Sequence, residues 1–134
     1  MTTDPKRTRI LIVEDDRWNG MLYLHLLGQH FDIELVKDIE STLKLARHSD
    51  FDLFLLDINL GEALNGIDLL GLLRQMPAYA ATPAVSCTAY AGRNYRDHFL
   101  ASGFDAHVDK PFSRQGLLGA IDRALAGDSF DAQA

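Results

Sequence analysis

Short apolar runs recur along the chain, and most of them end on a polar residue able to do chemistry. Ile10–Val13 leads into Glu14-Asp15, Leu53–Leu56 into Asp57, Ala84–Cys87 into Thr88, and Phe104–Val108 comes just before Lys110. Runs this short suit buried strands better than helices. Phe31–Val36 alternates apolar and polar residues, as an outer, half-exposed strand does. Leu53–Leu56 has no polar interruption, which predicts a central strand covered on both faces.

The segments between these runs have helical character. Arg17–Gln29 is rich in Leu, Met and Trp, and Asp16 stands where an N-cap belongs. Asp38 can cap a second helix running to about His48. Asn65-Gly66 turns the chain into a third helix, Ile67–Met76, which Pro77 ends. After Thr82-Pro83 opens the fourth strand, Gly92–Ala101 is a fourth helix with Tyr95 and Phe99 on one face. Ser113 caps the last helix, where Leu117, Leu118, Ile121, Ala124 and Leu125 make an apolar face and Gly127 a stop. Alternating strands and helices impose parallel strands with right-handed crossovers and helices on both faces. The expected fold is therefore α/β, a flavodoxin-like doubly wound parallel sheet of five strands in the order 2-1-3-4-5, with five helices.

The length of 134 residues fits one domain, expected at 8–126, with short flexible tails at 1–7 and 127–134. A net charge of -6 argues against broad nucleic-acid binding, which needs a cationic surface. No apolar stretch approaches the roughly 20 residues of a membrane helix, and the first residues lack the apolar segment of a signal peptide. A lone cysteine, Cys87, cannot build a disulfide framework. A cytoplasmic protein with no direct nucleic-acid or membrane partner is expected. A monomer is expected because no exposed apolar stripe is evident, a dimer through the fourth and fifth helices being the alternative.

In an open parallel sheet, ligands bind outside the carboxyl ends of the strands. The order 2-1-3-4-5 makes strands 1 and 3 neighbours, so Glu14-Asp15 should lie beside Asp57, flanked by Thr88 and Lys110. Clustered carboxylates repel one another, and a divalent cation offsets that cost. Magnesium prefers oxygen ligands and keeps several waters. Asp15 and Asp57, Glu14 directly or through water, and the backbone carbonyl of Asn59 form a suitable set. Asp57, ending the central strand, is best placed as a nucleophile that carries a phosphoryl group as an acyl phosphate. Lys110 and Thr88 can each meet a phosphoryl oxygen, one with its ammonium and one with its hydroxyl.

Val13-Glu14-Asp15-Asp16, the strand ending in Asp57, Thr88-Ala89 and Lys110-Pro111-Phe112 occur in order along the chain. Together they resemble the receiver domain of bacterial two-component response regulators, from about Thr8 to Ala126. The resemblance implies that Asp57 accepts a phosphoryl group from a histidine kinase, a histidine phosphotransfer protein or a small phosphodonor. It implies that Glu14 and Asp15 organise magnesium, and that Thr88 and Lys110 sense the phosphoryl group. It also implies a cis Lys110-Pro111 bond, and a chain that is not an enzyme beyond its own phosphorylation and dephosphorylation. Two departures stand out. Leu60-Gly61 replaces a Met-Pro pair in a loop one residue longer than common. His107 replaces the aromatic switch residue, usually Tyr or Phe, and a histidine can add sensitivity to protonation. His107 is expected to swing toward Thr88 after phosphorylation. Asn59 and Tyr90 are expected to flank the path of attacking water.

With no output segment after residue 126, the expected stand-alone receiver acts by binding a protein through its fourth helix, fifth strand and fifth helix, or relays phosphate onward. Two other classes compete. Glu14 with Asp57-Ile58-Asn59 faintly resembles the Toprim metal site of topoisomerases and nucleases, which has a second acid where Asn59 stands. A receiver-like binding module that never uses phosphate is the other. A flavodoxin fits poorly, because the first loop is acidic where a flavin phosphate needs donors.

Overall fold

The computed structural model describes residues 7–89 and 93–127. Its elements are β1 (Arg9–Val13), α1 (Arg17–Leu27), β2 (Asp32–Val36), α2 (Ile39–His48), β3 (Leu53–Asp57), α3 (Gly66–Arg74), a 3-10 turn (Pro77–Tyr79), β4 (Ala84–Thr88), α4 (Arg93–Ala101), β5 (Ala106–Asp109) and α5 (Arg114–Ala126). All strand pairs are parallel, in the order β2-β1-β3-β4-β5. This is the flavodoxin-like arrangement expected from the apolar runs. Of the flexible tails expected at 1–7 and 127–134, residues 1–6 and 128–134 lie outside the described residues, as do Tyr90 and Gly92.

Side chains of successive strand residues point to opposite faces, which splits the core in two. Leu11, Val13, Phe54 and Leu56 pack with Leu69, Leu70 and Leu73 of α3 and Phe99 of α4. Ile10, Ile12, Leu53, Leu55, Val85 and Cys87 pack with Tyr23 and Leu27 of α1 and Leu117, Ile121 and Ala124 of α5. β3 and β4 are buried throughout, whereas β2, at the sheet edge, is only partly covered. No helix among the described residues is long and apolar enough to cross a membrane.

Several boundaries differ from those the sequence suggests. β5 starts at Ala106, not Phe104. Phe104 packs in the core while the Asp105 carboxylate accepts the Ala84 N–H at 2.9 Å and closes the preceding loop. α3 starts one residue early because Asn65 and Asp68 form a capping box. It stops at Arg74, whose guanidinium turns onto the carbonyls of Tyr79 (3.2 Å) and Thr82 (2.5 Å). α1 ends at Leu27 and not Gln29, with the Gly28 N–H on the Leu24 carbonyl. Arg7 is not in a free tail, since it donates to the carbonyls of Gly28 and Phe31. On α5 the buried residues are Leu117, Ala120, Ile121 and Ala124, and Leu125 is exposed, since helical spacing rotates it off that face.

The largest departure is on α1. Its inward residues are Gly20, Tyr23 and Leu27, which leaves Trp18, Met21 and Leu22 as an exposed apolar stripe. Gly20 packs close on Leu35, whose Cδ2 would lie 2.9 Å from a Cβ there. The stripe removes the ground on which a monomer is expected.

Gly66 and Gly71 of α3 make a matched test of packing against helix propensity. A Cβ at Gly66 would sit 2.3 Å from the Asp57 carbonyl oxygen, rigid backbone that cannot yield, whereas one at Gly71 meets nothing within 4 Å. Gly66→Ala should cost about 1–3 kcal/mol of unfolding free energy. Gly71→Ala should add about 0.5–1 kcal/mol, because alanine loses less backbone entropy in a helix. Urea unfolding of the two variants checks both signs.

Candidate functional site

Four strands deliver residues at or just past their ends to one cleft of about 410 Å³, lined by Glu14, Asp15, Asp16, Asn19, Asp57, Asn59, Gly61, Thr88, Ala89 and Lys110. The register explains the convergence. Val13 pairs with Leu56, Asp57 with Cys87, and Thr88 with Asp109, so the residues leaving β1, β3, β4 and β5 are level. The Glu14 N–H bonds to the Val36 carbonyl at 2.9 Å and fixes the chain as it leaves β1. The Asp16 carboxylate accepts the Asn19 N–H at 2.9 Å, which makes Asp16 a helix cap.

Glu14 and Asp57 are buried and Asp15 is exposed, with one carboxylate oxygen of each within 4.8 Å of the others. Lys110 reaches between the two buried acids, its Nζ 2.8 Å from Glu14 Oε1 and 3.0 Å from Asp57 Oδ2. The Lys110-Pro111 bond is cis, as the resemblance implies. Phe112, the next residue, stacks on Tyr23 of α1 with ring centroids 4.5 Å apart. The Lys110 N–H bonds to the Thr88 carbonyl at 2.9 Å, and Thr88 itself is buried.

Burial pushes the Glu14 carboxyl up to about 7; the Lys110 hydrogen bond pulls it down, and Asp57 adds to the rise. Burial lowers Lys110, but the hydrogen bonds and charges of Glu14 and Asp57 outweigh it and hold the ammonium above its ordinary value. One cation thus faces three carboxylates, which leaves a surplus of hard, anionic oxygen open to the cleft. That donor set fits a divalent cation that prefers oxygen, magnesium among them.

The loop after β3 closes one side of the cleft. The Asn59 N–H donates to Asp57 Oδ1 at 3.2 Å, and the Gly61 N–H to Asn59 Oδ1 at 3.2 Å. Leu60 is buried in the core and stands as the loop's anchor. Gly61 has φ 69°, and a Cβ there would lie 3.2 Å from Asp15 Oδ2, so the departure at Leu60-Gly61 keeps the loop against the acids.

His107 faces inward. Its Nδ1 is 2.7 Å from Ser86 Oγ, its Nε2 is 2.9 Å from Asp109 Oδ1, and its ring lies 5.3 Å from that of Phe99. Only 2% of its side chain is exposed, and burial lowers its pKa against the pull of Asp109. The ring therefore already lies on the β4 side, held by Ser86 two residues before Thr88. Trp18 is 78% exposed, so it is not core, and it does not line the cleft. Asn19 does line it and was not singled out from the sequence, although a position one helical turn after Asp15 is the signal for it. The Cys87 thiol is pushed by burial up to about 12, as an inert packing residue requires.

Residues 10–122 match the family model described as response regulator receiver domain. The chain is 36% identical over 123 residues to the DNA-binding response regulator MtrA of Mycolicibacterium smegmatis, covering 91% of this chain and 52% of that one. It is 30% identical over 125 residues to the hybrid signal transduction histidine kinase I of Dictyostelium discoideum, covering 87% of this chain and 7% of that one. The chain spans about half the length of the MtrA proteins it matches. In fold it is similar to the chemotaxis response regulator CheY4 of Vibrio cholerae, with a TM-score of 0.82, 23% identity, and coverage of 90% of this chain and 100% of that one.

Glu14 makes stability depend on pH in a defined window. With its folded value raised from 4.5 to about 7, the folded chain keeps a proton that the unfolded chain has lost. This contribution is full below 4.5 and declines as the pH rises to about 7. In metal-free protein, Glu14→Gln should therefore gain Tm over wild type, by more at about pH 7.5 than at about pH 5. His107 titrates in both chains, so its effect cancels in the difference. Thermal melts with a chelator read this directly, and saturating magnesium should shrink the gap.

Proposed function

The chain belongs to the response regulator receiver domain family, and on that footing we propose that it is a signalling switch in which Asp57 is the phosphoacceptor. The observation that carries this reading is the position of Asp57, at the end of β3 in an open cleft, in contact with Lys110 and level with Glu14 and Asp15. An Asp57 carboxylate oxygen attacks the phosphorus of a phosphohistidine or a small acyl phosphate. A P–O bond forms, the bond from phosphorus to the donor breaks, and the donor leaves with the electron pair. Lys110 meets the negative charge of the incoming group with its ammonium, and Thr88 donates its hydroxyl to a phosphoryl oxygen. Glu14, Asp15, Asp57 and the Asn59 carbonyl would hold magnesium, which supplies charge neutralisation for the phosphoryl oxygens. Asn59 stands beside the acyl phosphate, where it can tune the approach of water.

We take the receiver unit as residues 8–126, a reading supported by regular elements that run from Arg9 to Ala126. Its phosphodonor is a histidine kinase or phosphotransfer protein, and Cys87, a buried free thiol, suits the reducing cytoplasm. Output is by protein contact through α4, β5 and α5. Thr88 and His107 form the switch: a phosphoryl group draws Thr88 inward and alters the Ser86–His107–Asp109 hydrogen bonds behind it. The net charge of -6 over the whole chain weighs against a direct nucleic-acid role. With the family shown, the Toprim-like reading has no support, and the phosphate-independent module becomes an outcome of the test.

Intact-protein mass with acetyl phosphate and magnesium tests the proposal. Wild type should gain one acid-stable, base-labile phosphoryl adduct, lost with a chelator and absent in Asp57→Asn. A wild type that gains none would point to the phosphate-independent module. For the switch, the His107 ring resonances should shift on adding beryllofluoride and magnesium to wild type but not to Thr88→Ala. Unmoved resonances in wild type would remove His107 from the mechanism.

A further inference from the structure

The loop from Ile58 to Asn65 carries the Asn59 carbonyl, and three of its own residues support it. Leu60 is buried, Asn59 closes a turn on the Gly61 N–H, and Asn65 starts α3. Glu62 provides a different kind of support. Its Oε2 accepts the Ile39 N–H at 3.1 Å, across 23 residues of sequence. Ile39 is the first residue of α2, and its N–H is one of the donors that a helix leaves without an internal partner. The positive end of the helix dipole favours a carboxylate there. α2 has its own cap, since the Asp38 carboxylate accepts the Ser41 N–H at 2.7 Å. The helix therefore does not need Glu62 to begin, whereas the exposed middle of the loop has no other side-chain bond to a distant element among the described residues.

We infer that Glu62 is a positioning residue, tethering the β3–α3 loop to the N-terminus of α2 so that Asn59 and Gly61 stay against the Asp15–Asp57 acids. The inference rests on the metal-dependent reading of the cleft and adds to it a residue outside the ligand set. Gly61, adjacent to Glu62, lies against Asp15 Oδ2, so a loop freed at Glu62 loosens at the contact nearest the exposed carboxylate.

The test compares magnesium affinity, by calorimetry, among wild type, Glu62→Ala and Glu62→Gln. It also compares exchange of the Ile39 amide hydrogen in metal-free protein. Glutamine removes the charge but keeps an oxygen that accepts the N–H. Glu62→Ala should weaken magnesium binding about tenfold, as loss of a support to a ligand does, and should speed Ile39 exchange. Glu62→Gln should stay within about twofold of wild type in affinity and keep Ile39 protected. Equal magnesium affinity in Glu62→Ala and wild type would overturn the inference while leaving the metal site intact. An equal loss in both variants would also overturn it, because the effect would then be long-range charge. A wild type that binds no magnesium would instead defeat the metal reading itself and the inference with it.

Discussion

Two carboxylates, Glu14 and Asp57, are buried at the ends of neighbouring strands, and the Lys110 ammonium sits between them at 2.8 and 3.0 Å. Taking these acids out of water is unfavourable, and their mutual repulsion adds to the cost. Lys110 offsets part of it, and to do so the end of β5 must come level with β1 and β3. The stacking of Phe112 on Tyr23 joins the site to the α1 side of the core. The residual strain shows in Glu14, whose carboxyl is held at about 7 even with the ammonium beside it. The site is thus electrostatically incomplete, with one ammonium facing three carboxylates.

Glu62 and His107 support this centre from opposite sides. On the α2 side, Glu62 crosses to Ile39 and restrains the loop carrying Asn59. On the α4 side, Ser86 and Asp109 grip both nitrogens of His107 on β5, beside β4, the strand that ends in Thr88. These hydrogen bonds link the strand that ends beside Asp57 to the α4–β5 surface, which is the route the proposed switch would use.

The sheet order and the convergence of Glu14, Asp15, Asp57, Thr88 and Lys110 were legible in the sequence because both follow from local pattern. Buried parallel strands read as uninterrupted apolar runs, and chemistry belongs at their carboxyl ends. What escaped depends on contacts between distant segments. Phe104 looks like a strand residue until Asp105 is seen closing the loop onto Ala84. Leu125 looks like part of an apolar face until α5 is docked. The outward stripe of Trp18, Met21 and Leu22 goes with a helix docked on Gly20, Tyr23 and Leu27, a choice of face that the apolar pattern does not reveal. Ser86 became a partner of His107 only once the β4–β5 register paired them.

The central claim is that Lys110 and a divalent cation compete to neutralise the same pair of acids. Comparing wild type with Lys110→Met by magnesium calorimetry and metal-free melting tests it most directly. The account predicts a lower Tm without metal, because the buried acids lose their counter-charge, together with tighter magnesium binding, because the competing cation is gone. Unchanged metal-free stability, or magnesium bound no more tightly than by wild type, would contradict it.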